Sequence, residues 1–297
     1  MGEAFFRAGG SVTVRDVSGY FPAGDSVLRR VHGERAVGLL YGQRALLLQA
    51  TDPVAFTGLL GSTGGLHAPF ERLVRTAKIM ESVYFGSREE ADRVTARVRA
   101  MHSHIHGETD RAAGPHPPGT PYAADRPDML LWILACLADS ALVVYRTFVG
   151  PLADPAQRER FWSDYLLLGE LFGLPRSEAP RDYTAFRDYM RARLRSDELF
   201  VTDDARSLGR RVAFELPLPA HRRPVLPAVN LAVVGTLPPR VRRMYGIAWT
   251  PAHEAAFQTI ARGTKLSRPL LPHDVRRGRS AHDYEVVAKA ERRRAAA

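Results

Sequence analysis

The chain alternates between long stretches in which apolar residues recur every three to four positions and short stretches rich in glycine and proline. Residues 70–84, FERLVRTAKIMESVY, set Phe70, Leu73, Val74, Ala77 and Met80 on one stripe, which predicts an amphipathic helix. Residues 88–106 do the same with Val94, Val98, Met101 and Ile105, and Gly107 supplies a stop. Residues 128–148 are apolar nearly all round, the pattern of a helix enclosed on every side. Further helices are predicted at 155–172, closed by Gly173 and Pro175, and at 182–195, 202–213, 225–236 and 251–262. Thr250 and Pro251 open the last of these as an N-cap and first-turn pair. The best strand signal is SVTVRDV at 11–17. Residues 107–127, GETDRAAGPHPPGTPYAADRP, and 215–227, ELPLPAHRRPVLP, read as loops. Helices resume at once on both sides of each loop. The pattern therefore predicts an all-α fold, a single globular multi-helix domain around a central buried helix. Its expected bounds are an N-terminal extension at 1–34, the helical domain at 35–265 and a charged C-terminal tail at 266–297.

At 297 residues and 45% hydrophobic composition the chain can bury a sizeable core and does not read as disordered. Its 42 basic and 32 acidic side chains leave a charge of +10, spread along the chain and carried mostly by arginine. Such a charge favours loose contact with phosphate or membrane surfaces. No helix-turn-helix, RRM or zinc-finger pattern accompanies it, so no specific nucleic-acid partner is expected. The lone Cys136 excludes an internal disulfide and any multi-cysteine zinc site, and its apolar surroundings predict a buried, inert thiol. The apolar run around it is interrupted by Asp139 and Ser140, which reads as too short for a membrane span of about 20 residues. MGEAFFRAGG at the start lacks the basic-then-apolar order of an export signal, and a cytoplasmic location is expected.

Three histidines, His102, His104 and His106, fall within five positions just before Gly107. At about 100° per residue, His102 lies about 60° from the centre of the Val94–Ile105 stripe, and the other two about 100° away. His102 is thus the one expected to point inward. Three roles remain open to it. It fits a core-edge histidine with a satisfied hydrogen bond. With His106, at i and i+4, it fits a metal-holding pair of a non-haem metalloenzyme, which needs a third ligand; the glutamate of an HExxH pattern is replaced by Ser103. It also fits a single axial ligand to haem iron. Asp52, before Pro53, suits either a general base in a dry pocket or a turn and cap residue. Asp139, amid apolar neighbours, requires a buried partner.

Four segments occur in a telling order: GQRALLLQATDP at 42–53, ERLVRTAKIMESVYFGSREEADRVTARVRAMHSHIHG at 71–107, YAADRPDMLLWILACLADSALVVYRTFVGPL at 122–152 and LPPRVRRMYGIAWT at 237–250. Together they resemble the MpaB-type oxygenases, a family that includes the latex clearing proteins, or rubber oxygenases, to which the similarity is distant. The likeness covers roughly residues 35–250. It implies an all-α protein that binds haem b through one histidine and uses dioxygen on an apolar substrate, here a small molecule or biosynthetic intermediate. It makes His102 the implied iron ligand. Arg72, Arg75 and Thr76 match the family's haem-facing RLxRT segment. Arg72 is implied as a partner of a haem propionate, Thr76 as a cofactor-binding and catalytic hydroxyl, and Arg75 as a catalytic cation. Asp52 stands where the family usually has the histidine of a His-Pro pair, and Leu134 where it commonly has another. Those two losses keep a haem-free, non-catalytic binding protein of the same fold in view. Tyr122, Asp125, Arg242, Tyr245 and Trp249 are expected to lock loops onto the core.

Overall fold

Prolines and short polar caps open most of the helices of this protein, whose computed structural model describes residues 19–61, 69–215 and 224–278. The side chains of 59–61, 69–74, 212 and 213 fall outside that description, as does the strand expected at 11–17. In order come α1 (Val27–His32), α2 (Arg35–Gln49), α3 (Pro53–Gly61), α4 (Pro69–Phe85), α5 (Arg88–His102), a hairpin of β1 (His106–Glu108) and β2 (Pro121–Ala123), and α6 (Pro127–Phe148). The second half contains α7 (Pro155–Leu171), α8 (Tyr183–Arg195), α9 (Asp203–Phe214), α10 (Leu226–Gly235), α11 (Pro239–Met244), α12 (Pro251–Ser267) and α13 (His273–Arg276). Thr250 caps α12 in a reciprocal box with His253, and Pro251 sits in its first turn as expected.

The predicted central helix is α6. It packs along α2, and α7, α8 and α12 close around it. Trp132, Ala135, Cys136, Ala138, Ala141 and Val144 are all fully buried. Burial pushes the Cys136 thiol well up, in keeping with an inert group. Contrary to expectation, Asp139 and Ser140 do not interrupt the helix, and its 22 residues are long and apolar enough, by length and composition, to cross a membrane. In this protein 67% of the apolar window is buried against other helices.

Asp139 finds its partner across the helix pair. Arg44 of α2 donates from Nη2 to Asp139 Oδ2 at 2.9 Å, from Nη1 to Ser140 Oγ at 2.8 Å and from Nε to the Thr236 carbonyl at 3.1 Å. Arg187 of α8 donates to the other carboxylate oxygen at 2.5 Å. Burial pushes the Asp139 carboxyl up, but the Arg44 and Arg187 guanidiniums outweigh it and hold the group below its ordinary range. One ionic node therefore joins α2, α6, α8 and the end of α10.

Residues 27–34, set apart as an extension in the sequence reading, are built into the core. Val27, Leu28 and Val31 of α1 are buried, and Asp164 of α7 accepts hydrogen bonds from the Leu28 backbone and the Ser26 hydroxyl, both at 2.9 Å. Glu34, buried after α1, receives Arg268 through Nε at 3.0 Å and Nη2 at 2.6 Å, with Arg277 Nη1 at 3.4 Å. The residues following α12 are thereby clasped to the start of α2.

His32 ends α1 inside a cage of phenols. Its ring stacks on Tyr84 at 4.2 Å, meets Tyr41 edge-on at 4.7 Å, and its Nε2 lies 2.7 Å from the Tyr165 hydroxyl. Burial pushes this imidazole down to about 3, against about 6.5 in an unfolded chain. Between those values the unfolded chain binds the extra proton, so stability rises with pH. The contribution is complete above about pH 6.5 and falls by about 2 kcal/mol by pH 5. Urea titrations at both pH values check this: His32→Gln should lose that part of the slope, and an unchanged slope would remove His32 as its source.

Candidate active site

The hairpin of α4 and α5 turns on Gly86 and Ser87 alone. The Ser87 hydroxyl caps α5 by accepting from the Glu90 backbone at 3.1 Å, and Ser82 donates to the Glu90 carboxylate at 2.7 Å across the turn. A Cβ on Gly86 would stand 2.3 Å from the Ser82 carbonyl oxygen, so the tight reversal needs glycine. α4 packs on α5 beyond this turn. The RLVRT segment lies in the N-terminal part of α4 and His102 at the C-terminal end of α5.

His102 is the last residue of α5, half-buried, with its Nδ1 shielded from solvent. Arg75 and Thr76 are exposed on α4, as are Ala77 and Lys78 beside them. The Arg72 position is on the same helix, and its side chain lies outside the described residues. Arg99 Nη1 donates to the Leu171 carbonyl, tying the end of α5 to α7. The stripe predicted for α5 is only partly met. Val94, Val98 and Ile105 are half-buried, but Met101 is 43% exposed, and the fully buried residues are Ala91 and Thr95. α5 packs chiefly on α4, so its inward face is narrow.

α5 also ends four residues earlier than predicted, and this corrects the metal reading. Residues 105–108 find backbone partners in 121–124 instead of continuing the helix: β1 pairs with β2, and Ala124 N–H donates to the Ile105 carbonyl at 2.8 Å. The 107–127 stretch is therefore an ordered hairpin and not simply a loop. Its Tyr122 ring lies so close to Gly107 that a Cβ there would meet the phenol oxygen at 2.9 Å. His106 consequently sits exposed on β1, and His102 and His106 do not share a helix face. Among the described residues no group of three His, Cys, Asp or Glu side chains could hold a metal ion. The non-haem metal site built on His102 and His106 has no support in this geometry.

Asp52 takes the cap role. Its Oδ1 accepts from the backbones of Val54 and Ala55 at 3.1 and 3.0 Å, opening α3, and its Oδ2 receives Arg193 at 2.7 Å. The Arg193 guanidinium also pairs with Glu198 and lies 5.2 Å from the centre of the Trp132 ring. With both oxygens occupied, the carboxylate is poorly placed to take a substrate proton. It lines a cleft of about 390 Å³ with His116, Arg126, Met129, Tyr189 and Arg193. Of this set only Asp52 is singled out by the sequence. Burial pushes the Tyr189 phenol up, so it keeps its proton. Leu134 is buried, and a Cβ on Gly169 would come within 2.8 Å of its Cδ2, so the helices approach closely at this point.

The expected loop locks are largely in place. Tyr245 donates to the Leu47 carbonyl at 2.8 Å, Arg242 stacks 4.4 Å from the Trp249 ring centre, and Tyr122 packs between Gly58 and Gly107.

The profile of the family described as ER-bound oxygenase mpaB/B'/rubber oxygenase, catalytic domain, matches residues 29–266. Uncharacterized proteins of Mycobacterium bovis and Mycobacterium tuberculosis are each 27% identical to the chain over 233 residues, covering 77% of this chain and 88% of theirs. No solved structure matches it.

Proposed function

Because the chain belongs to the family of ER-bound mpaB and rubber oxygenase catalytic domains, we propose that it is a haem b-dependent oxygenase acting with dioxygen on a small apolar molecule. The family is an oxygenase domain; the cofactor and the substrate class are our reading. The observation that supports this reading is a half-buried imidazole, His102, at the end of α5, with its Nδ1 shielded from solvent, in a chain that also carries the RLVRT segment on the adjoining α4. That donor set fits a porphyrin: a neutral histidine for the iron and arginines for the propionates.

In this reading His102 holds the iron and Arg72 pairs with a propionate. Arg75 is a poor metal ligand because a guanidinium keeps its proton, so it donates hydrogen bonds and charge. Thr76, four residues after Arg72, presents a hydroxyl donor from the same helix face. Bound haem supplies the redox centre at which dioxygen is activated. Asp52, capped and paired with Arg193, orders the wall of the cleft and does not act as a base. Leu134 keeps the neighbouring core apolar.

Purified protein titrated with haemin should develop a Soret band that shifts on reduction with dithionite. Protein that is isolated colourless and leaves the haemin spectrum unchanged would end the proposal. The histidine positions taken by Asp52 and Leu134 favour a second reading, a non-catalytic binder. It predicts no oxygen consumption across a panel of apolar substrates.

A further inference from the structure

Eight large hydrophobic side chains stand exposed among the described residues, and five of them lie at one end of the molecule: Leu39, Leu266, Leu270, Leu271 and Val275. Leu266 and Leu270 are 78% and 85% exposed. Their proximity follows from the clasp at Glu34. Arg35 Nη2 donates to the Asp274 carbonyl at 2.7 Å and its Nε to the Arg277 carbonyl at 3.2 Å, which brings α13 against the first turn of α2. Leu39 is one turn further along that helix, facing outward between the buried Val37 and Leu40. Leu266, Leu270 and Leu271 come from the end of α12 and the turn that follows it.

The charges around this patch are mostly positive. Arg30, Arg35, Arg262 and Lys265 are exposed on the same segments, and Asp274 is the acidic residue among them; Glu34 is consumed by Arg268 and Arg277. The chain leaves the patch at Gly278 toward a tail whose sequence carries the run Arg292, Arg293, Arg294. Apolar side chains rimmed by cations match a bilayer of anionic lipid, where the leucines enter the acyl boundary and the cations meet headgroups. A second copy of the chain would bring like charges together on the same face.

We propose that this end of the protein docks on anionic membrane surfaces, with Leu266, Leu270, Leu271 and Val275 inserted at the interface and Arg35, Arg262 and Lys265 on the headgroups. The surface is independent of the haem reading.

Co-sedimentation of the full chain with vesicles of phosphatidylcholine and phosphatidylserine tests it, pure phosphatidylcholine serving as reference. The anionic vesicles should be bound, and the double variant Leu266→Asp/Leu270→Asp should bind at least about tenfold more weakly with unchanged helix content. Arg262→Glu and Lys265→Glu should each weaken binding about fivefold at low salt. Wild-type protein that stays in the supernatant overturns the proposal. So does binding that appears only after removal of residues 279–297, which would make the tail the occupant. A dimer that Leu270→Asp converts to monomer overturns it as well, since the patch would then be a subunit interface.

Discussion

Replacing Asp139 by alanine is expected to destabilise the protein by about 3–5 kcal/mol and to lower its melting temperature by on the order of 10 °C. The cost falls on Arg44. Its side chain is 2% exposed, and its remaining partners are the Ser140 hydroxyl and a carbonyl, neither of which neutralises a charge. Arg187, 28% exposed, can turn to solvent. Removing Arg44 instead leaves the carboxylate with one guanidinium, so Arg44→Met should cost less. The double variant Asp139→Leu/Arg44→Met should recover much of the loss, because a buried ion pair replaced by apolar groups of similar volume is often neutral. Denaturant titrations of the three variants form the cycle. An Asp139→Ala loss under about 1 kcal/mol would show that water reaches Arg44. The depressed carboxyl also gives a sign: this stabilisation is present above the ordinary carboxylate range and is lost as pH falls through the folded value.

His102→Ala is expected to abolish the haemin-induced Soret shift, weakening haemin binding by more than about 100-fold, with the melting temperature nearly unchanged because the ring is only half-buried. His104→Ala and His106→Ala should bind haemin as the wild type does, since both residues are exposed and His106 belongs to the β hairpin. Added imidazole should restore part of the shift in His102→Ala. If the alanine variant keeps the wild-type spectrum and affinity, some other residue holds the iron and the role given to α5 is wrong.

The helices legible in the sequence were those whose burial pattern is strong or whose ends are punctuated. α6 was visible because nothing polar but Asp139 and Ser140 breaks its run, and α12 because Thr250 and Pro251 announce it. The hydrophobic pattern singles out no helix over α1, α2 or α3. α2 has almost no amphipathic contrast, being buried on several faces with Arg44 and Gln43 inside, so helical periodicity carried little signal. α5 ends before its predicted stop because local propensity cannot report backbone partners that lie in 121–124. At the site, His102 and the RLVRT segment are singled out by the resemblance, and they lie on the adjoining helices α5 and α4. It could not find Arg193, whose role exists only because α8 lies over Asp52 and Trp132. One clue was available: Arg44 in an apolar run of one helix and Asp139 in an apolar run of another are a matched pair of misfits.

The clasp at Glu34 has a bearing on how the molecule is made. Glu34 and Arg268 are 234 positions apart, so the ribosome needs on the order of ten to fifty seconds between them. Until Arg268 emerges, the carboxylate must stay hydrated, and the corner between α1 and α2 cannot seal. Closing the ring late, across one of the longest loops closed among the described residues, makes this corner a natural late step of folding and a place where an unfinished chain is open to chaperones.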